Sequence, residues 1–340
     1  MSLRVLHFGM GPIGAAIARQ VATRPGFSIS GAVDIDPDKA GRDVGQLLQL
    51  PSTGTFVYRR LIDALEKAKV DVVVICTSSS LAKVMPQIVE VLHARIPIVS
   101  TTEELAYPTP ENRAFIAQID EHAKRVDVAV MATGVNPGFV MDALPIVLTS
   151  PCERIDAIRI DRVQDASARR LPFQQKIGTG LSVSEFQEKV RTGLVRHVGL
   201  AESIHMIGDA LAWNVDQVTD RIEPVVAQKD VHSDYFKVST GRVCGLVQDG
   251  VGYVDKRPVI TLHMEAYLGA PQSYDNITIR GSPNLEFRVL GGTPGDVATA
   301  SLVVNALPKV VAASPGYHTM RDMPLPSFFG GQSKETGPHA

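Results

Sequence analysis

Gly9-Met10-Gly11-Pro12-Ile13-Gly14 sets three glycines at GxGxxG spacing. In such a run the first glycine permits a tight turn, the second lets a pyrophosphate approach the main chain, and the third lets a helix pack closely on a strand. Pro12 suits the first position of a helix, where its missing N–H costs little, and Ile13 begins an alanine-rich helical stretch. The free N–H groups of that first turn, and the positive end of the helix dipole, then face the phosphates. Asp34 follows Gly14 by 20 residues, the place from which a carboxylate bonds the hydroxyls of an adenosine ribose. The combination is that of a dinucleotide site. The same carboxylate repels a 2′-phosphate and so favours NAD(H). Lys39 and Arg42 follow closely enough to receive that phosphate, which leaves NADP(H) open as a second cofactor.

Three further stretches could face such a cofactor. Thr77-Ser78-Ser79-Ser80 follows an apolar run ending in Cys76, and its small polar groups suit a cofactor crevice; Ser80 equally suits the cap of a helix from Leu81. Cys76 itself reads as a small buried side chain rather than a nucleophile. Thr101-Thr102-Glu103-Glu104 closes the next run, where Thr101 adjoins the crevice. A carboxylate there would serve as general acid or base beside a nicotinamide. Glutamates after a threonine also mark a helix start, and position does not separate the two readings. Asn136, in Ala132–Phe139, suits a nicotinamide amide or a hinge between domains.

Farther on, Asp165–Gly180 joins Arg169, Arg170 and Lys176 to flexible glycines, as a loop over a polar substrate would, or as a solvated basic turn would. The 9 histidines show no HxxxH or HExxH spacing and the 3 cysteines are scattered, so no metal site is expected. No GxSxG elbow is present.

Strand and helix patterns alternate through the first 135 residues: strands at Arg4–Gly9, Phe27–Asp34, Val70–Cys76, Ile96–Thr101 and Asp127–Ala132, and helices at Ile13–Thr23, Leu81–Ala94 and Asn112–Arg125. Such alternation predicts a doubly wound parallel sheet. Beyond Asn136 the pattern becomes long alternating segments, including Ile155–Val163, Val215–Gln228, Val259–Tyr267, Asp275–Arg280 and Leu285–Leu290, which suit an open, mostly antiparallel sheet with one covered face. Helical patterns fall at Val183–Thr192 and Gly199–Trp213. A last apolar helix, Gly295–Ala313, is expected to pack back on the first domain, and the Pro- and Gly-rich tail from Pro324 is expected to be loose. The resulting division is 1–135, 136–294, 295–323 and 324–340.

The chain has 340 residues, about two domains at ~150 residues each. Its 34 basic and 36 acidic residues leave −2, which argues against a nucleic acid or an anionic membrane as partner. No apolar run approaches the ~18 residues of a membrane span, and no signal-type segment opens the chain, so a cytoplasmic location is expected.

These residues resemble those of the 2,4-diaminopentanoate dehydrogenase family, which includes the native amine dehydrogenases and is distantly related to dihydrodipicolinate reductases. The resemblance rests on Gly9–Gly14, on Ser100-Thr101-Thr102-Glu103-Glu104-Leu105-Ala106-Tyr107-Pro108, on Ala132–Pro145, on Asp165–Gly180 and on the closing helix from Gly295 to Pro308. It implies an α/β protein with an N-terminal Rossmann domain and a C-terminal α+β domain that supplies a homodimer interface. It implies NAD(P)H-dependent reductive amination of a carbonyl compound with ammonia, or the reverse deamination of a primary amine. It also implies a catalytic glutamate, assigned here to Glu104 with Glu103 turned toward structure. The adjacent histidines of the dihydrodipicolinate reductases are missing, which argues against that reaction. For the substrate, Phe139, Met141 and Phe173 would suit small aliphatic ketones or aldehydes. Arg162, Arg169, Arg170 and His263 would suit a substrate carboxylate, as in a diamino acid. A semialdehyde or homoserine-type dehydrogenase, and a cofactor-binding sensor without turnover, are the rival readings.

Overall fold

The computed structural model describes residues 2–330; the end of the expected tail, 331–340, lies outside them. It divides into two units, one formed by residues 2–139 with 294–330 and the other by Val140–Thr293.

The first unit is a doubly wound sheet. Its strands are β1 (Leu3–Phe8), β2 (Phe27–Val33), β3 (Val57–Tyr58), β4 (Val72–Ile75), β5 (Ile98–Ser100) and β6 (Ala129–Ala132), with Gly316–His318 added beyond β6. All pair in parallel, in the order Gly316–His318, β6, β5, β4, β1, β2, β3. Val72-Val73-Val74-Ile75 is buried on both faces, as a central parallel strand between two helix layers must be. Strand order reverses between β1 and β4, so their carboxyl ends part and open a crevice there.

The helices Leu81–His93 and Arg113–Val126 bury one stripe each; in the second it is Ile116, Ile119 and Ala123. The helix Gly295–Val311 belongs to this unit and lies against the helix Pro12–Thr23. Gln20 Nε2 donates to Ser301 Oγ at 3.0 Å, and Arg24 Nη1 to Asn305 Oδ1 at 2.8 Å. The segment from Pro324 to Gly330 has no helix or strand, but it is tethered rather than loose. Phe329 N donates to Asn305 Oδ1 at 3.0 Å, Lys309 Nζ to the carbonyls of Pro324 and Leu325, and the Phe329 ring meets Phe27 edge-on at 5.3 Å.

His7, in the middle of β1, is fully buried, and neither ring nitrogen has a hydrogen-bond partner among the described residues. Burial drives its pKa down from 6.5 to about 3. The folded chain therefore keeps His7 neutral where the unfolded chain is already protonated. Its stability contribution is complete above pH 6.5 and is lost as pH falls toward 3, by up to ~1.4 kcal/mol per pH unit for each such proton. Thermal unfolding measured from pH 7 down to pH 4.5 should show this acid limb, and His7→Leu should flatten it.

The second unit is built on β7 (Arg154–Asp165), β8 (Gln217–Val226), β11 (Val243–Val254), β12 (Arg257–Tyr267), β13 (Tyr274–Ser282) and β14 (Leu285–Leu290), with a separate ribbon of β9 (Val231–His232) and β10 (Lys237–Val238). The large sheet runs β14-β13-β7-β12-β11-β8, and only β7 and β12 pair in parallel. It is the mostly antiparallel sheet expected from the alternation. Strand β11 had no strand signal, because glycines interrupt it. Their reason is tertiary: a Cβ on Gly252 would lie 2.6 Å from Ile204 Cγ2, and one on Gly250 3.1 Å from Leu200 Cβ. The helix Leu200–Ala210 thus packs directly on bare backbone.

Candidate active site

The GxGxxG run forms the turn between β1 and the helix Pro12–Thr23. Gly9 has φ +99°, open to glycine alone without strain, and a Cβ there would lie 2.7 Å from the Cys76 carbonyl oxygen. A Cβ on Gly14 would lie 2.0 Å from Gly9 O, whereas one on Gly11 would meet no atom within 4 Å. Two glycines therefore serve packing, and the third keeps open the ground over the loop. No side chain caps the helix at Gly11, which leaves its N-terminus able to receive an anion.

Asp34 stands just past the end of β2, and its Oδ2 accepts from Met10 N at 2.7 Å. Lys39 Nζ bridges Asp34 at 3.3 Å and Asp36 at 3.1 Å. These partners outweigh burial and raise the Lys39 pKa. Arg42 is exposed on the turn that follows. The loop, the uncapped helix and the acid fit a dinucleotide with a free ribose 2′-hydroxyl. Asp34→Ser should shift the NADPH-to-NADH preference by about tenfold or more toward NADPH. The reason is that two unit charges ~4 Å apart near a surface repel by about 4 kcal/mol, and the substitution also frees Lys39. Steady-state KM values with each cofactor check this.

Across the crevice, the ends of β4 and β5 are laced together. Thr102 Oγ1 donates to Ser78 O at 2.9 Å and accepts from Ser100 Oγ at 2.9 Å, while Glu104 N donates to Ser79 O at 3.3 Å. Thr101 N donates to Ile75 O at 3.0 Å. Thr77 is exposed and its Oγ1 donates to Gln87 Oε1 at 2.5 Å. Glu103-Glu104-Leu105 does not start a long helix; it is a single 3-10 turn, and the next helix begins at Arg113. Glu104 Oε2 accepts from Leu81 N at 2.8 Å, at the N-terminus of the helix Leu81–His93, and Oε1 accepts no hydrogen bond among the described residues. Ser80, the other candidate cap, makes no side-chain cap bond there. Glu103 lies close to Cys76. Burial pushes that thiol up to about 12, a Thr101 hydrogen bond opposes the rise, and the Glu103 charge adds to it. A thiol so raised is a poor nucleophile at neutral pH.

After β6 the chain curls tightly. Gly138 has φ +123°, and a Cβ there would lie 2.5 Å from Gly134 N. Asn136 is buried in this curl, and Val135 N donates to Thr299 Oγ1 at 3.2 Å. Phe139 borders a cavity of about 180 Å³ between the helix Gly295–Val311 and the segment after it, with Met131, Leu302 and Met320.

In the second unit the candidate substrate side chains part company. Register sets Arg162 beside Met264 and His263 beside Asp161, so Arg162 and His263 emerge on opposite faces of the sheet. They do not line one pocket. His263 lies between Asp249 Oδ1 at 2.7 Å and Glu265 Oε1 at 2.9 Å, which raise its pKa against the effect of burial. Arg162 is 2% exposed; Nη1 pairs with Asp275 Oδ1 at 2.7 Å and Nη2 donates to Thr293 O at 2.8 Å. Arg169 stacks on Phe173 at 4.1 Å and donates to Gln164 Oε1 at 3.0 Å. Met141 is fully buried. His197 N donates to Gln248 Oε1 at 2.7 Å, and His197 O accepts from Gln248 Nε2 at 3.0 Å. Burial drives the His197 pKa to about 3, and the charges of Lys176, Arg162 and Arg196 add to the lowering.

A glycine loop and an acid at the ends of β1 and β2, a carboxylate turn at the end of β5, and a second unit on a mixed sheet define a Rossmann-type oxidoreductase. Residues 139–337 match the 2,4-diaminopentanoate dehydrogenase C-terminal domain, and the chain belongs to that family. Residues 2–103 match a CoA binding domain. The 2,4-diaminopentanoate dehydrogenase of Acetoanaerobium sticklandii is 31% identical over 98% of this chain and 96% of that protein. An amine dehydrogenase of Streptomyces virginiae is 22% identical over 95% of this chain and 96% of that protein. The fold is that of the amine dehydrogenase from Mycobacterium smegmatis, with a TM-score of 0.88 at 24% identity, covering 98% of this chain and 99% of that one. The myo-inositol dehydrogenase from Lactobacillus casei, solved with NAD(H) and myo-inositol, is a more remote likeness with a TM-score of 0.56 at 14% identity, covering 95% and 90%.

Proposed function

We propose that this chain is an NAD(H)-dependent amine dehydrogenase, able also to accept NADP(H), that interconverts small aliphatic ketones or aldehydes plus ammonia with primary amines. The observation that carries the proposal is the Glu104 carboxylate, anchored through one oxygen at the end of β5 and open at the other. Gly9–Gly14 and Asp34 would hold the dinucleotide, which supplies a hydride from the nicotinamide when bound. Glu104 takes a proton from ammonium, so that neutral ammonia attacks the carbonyl carbon. It returns that proton to the carbinolamine hydroxyl, which leaves as water. Its negative charge then stabilises the iminium that accepts the hydride.

A carboxylate-bearing diamino acid is the second reading, supported by the 31% identity to the 2,4-diaminopentanoate dehydrogenase of Acetoanaerobium sticklandii. A homodimer is part of the proposal. The face of the sheet that carries His263, Asp249 and Glu265 has the only partly covered half of the β12 alternation, and a second copy would cover it. A cytoplasmic location is likewise proposed; no helix among the described residues is long and apolar enough to cross a membrane.

The test is a panel of ketones, aldehydes and their amino-acid counterparts with NADH and with NADPH, with and without ammonium. Cofactor oxidation only in the presence of ammonium is expected. Ammonium-independent turnover would return the semialdehyde or homoserine-type reading, and binding of NADH without any turnover the sensor reading.

A further inference from the structure

The 3-10 turn that carries both glutamates is short, and its own hydrogen bonds use only the carbonyls of Thr102 and Glu103, which accept from Leu105 N and Ala106 N at 3.0 Å each. The carbonyls that follow need other donors, as at any helix end. Two residues from distant elements supply them. Asn112 Nδ2 donates to Glu104 O at 2.7 Å and to Tyr107 O at 3.0 Å, while its Oδ1 accepts from Thr109 N at 2.7 Å. Tyr317, on the last strand and 212 residues away in sequence, donates its hydroxyl to Leu105 O at 2.8 Å. Asn112 is buried and Tyr317 partly so. Arg321, four residues beyond Tyr317, donates to Tyr107 OH at 2.7 Å and ties down the far end of the same loop. Neither Asn112 nor Tyr317 is needed to pair the sheet: Gly316–His318 joins β6 through its main chain, and Asn112 makes no side-chain cap bond to the helix it precedes.

We propose that Asn112 and Tyr317 are positioning residues for amine chemistry, holding consecutive carbonyls of the Glu103–Leu105 turn so that the Glu104 carboxylate stays at the carboxyl edge of the sheet. The inference rests on the reading that Glu104 moves the protons. A misplacement of about 1 Å in a group of this kind costs on the order of a hundredfold in rate.

The experiment compares Tyr317→Phe, Asn112→Asp and Glu104→Gln, and the double variant Tyr317→Phe/Glu104→Gln, in the full-length protein. Tyr317→Phe removes one hydroxyl and keeps the ring. Asn112→Asp keeps the acceptor for Thr109 N and loses both donors. For Tyr317→Phe and for Asn112→Asp, kcat for reductive amination should fall by about tenfold to a hundredfold, with NADH affinity unchanged within about twofold. The melting temperature of Tyr317→Phe should fall by no more than ~4 °C, as for one lost hydrogen bond, and that of Asn112→Asp should fall further, because a buried carboxylate then faces two carbonyl oxygens. Amide exchange should quicken in 101–109 and not across the sheet. In the Glu104→Gln background, Tyr317→Phe should have no further effect on rate, because a group that acts through Glu104 has nothing left to position. A merely structural role would instead give multiplied losses in the double variant, and that result overturns the proposal, as does full activity in Tyr317→Phe and Asn112→Asp beside an inactive Glu104→Gln. Full activity in Glu104→Gln itself is a different outcome: it removes the reading of Glu104 on which the inference stands, and the inference with it.

Discussion

Replacing Glu104 by glutamine should lower the rate of reductive amination by roughly 10²- to 10⁴-fold, the usual contribution of a positioned acid or base, while NADH binds within a few-fold of its original affinity. Glutamine keeps the length of the side chain and an oxygen that can still accept from Leu81 N at the 2.8 Å position. The substitution therefore removes the proton carrier and leaves the anchor in place. The loss belongs in kcat rather than KM for the cofactor, since the groups proposed to hold the dinucleotide, Gly9–Gly14 and Asp34, lie on other loops. Single-turnover rates of NADH oxidation with saturating ketone and ammonium read the effect, and fluorescence titration reads the affinity. Glu103→Gln should be the milder change, because the proton transfers are assigned to Glu104 alone. The reverse ranking, with full activity in Glu104→Gln and loss in Glu103→Gln, would assign the chemistry to the neighbouring carboxylate of the turn.

The largest effect on stability should come from Asp275→Ala. Arg162 and Asp275 are 2% and 1% exposed and pair at 2.7 Å, and the second Asp275 oxygen accepts from Thr293 N at 2.7 Å. Burial alone would lower the Arg162 pKa, and Asp275 opposes that lowering. Removing one partner of a buried pair leaves an uncompensated charge and costs about 3–5 kcal/mol. In a unit of this size that is a fall in melting temperature of about 10 °C. Replacing both partners, as Arg162→Met with Asp275→Leu, should recover much of the loss, because it removes the stranded charge as well. If Asp275→Ala melted like the parent protein, the guanidinium would have found another counter-charge, and the pair would not be what holds this part of the sheet together.

Much of this molecule is local. The GxGxxG loop and Asp34 are legible because each residue acts through its own backbone conformation or through a partner fixed by the strand–turn–helix unit it belongs to. The parallel sheet is legible because strands buried on both faces must be continuously apolar, as Val72–Ile75 is. Strand β11 was not, because its glycines answer to Leu200 and Ile204 on another element. The tail from Pro324 was expected to be loose for the same kind of reason: its tethers, Lys309 and Asn305, sit on a helix that composition does not connect to it.

The active-site residues divide along the same line. The chemistry of a glutamate pair at a strand end is written in residue types. That the pair forms one turn, whose carbonyls accept from Asn112 and Tyr317, is a contact of the fold, and Tyr317 has no local signal at all. Arg162 and His263 were both candidates for a substrate carboxylate by residue type. The period of two in a strand, once the register of β7 and β12 is known, puts them on opposite faces. The amino-acid sequence by itself determined the fold class, the dinucleotide loop and the family, because these depend on short-range pattern and on motifs. Only the tertiary structure decided which oxygen of Glu104 is held, which side chain brackets His197 and which arginine is buried against Asp275, because each of those is a contact between elements that the chain brings together from far apart.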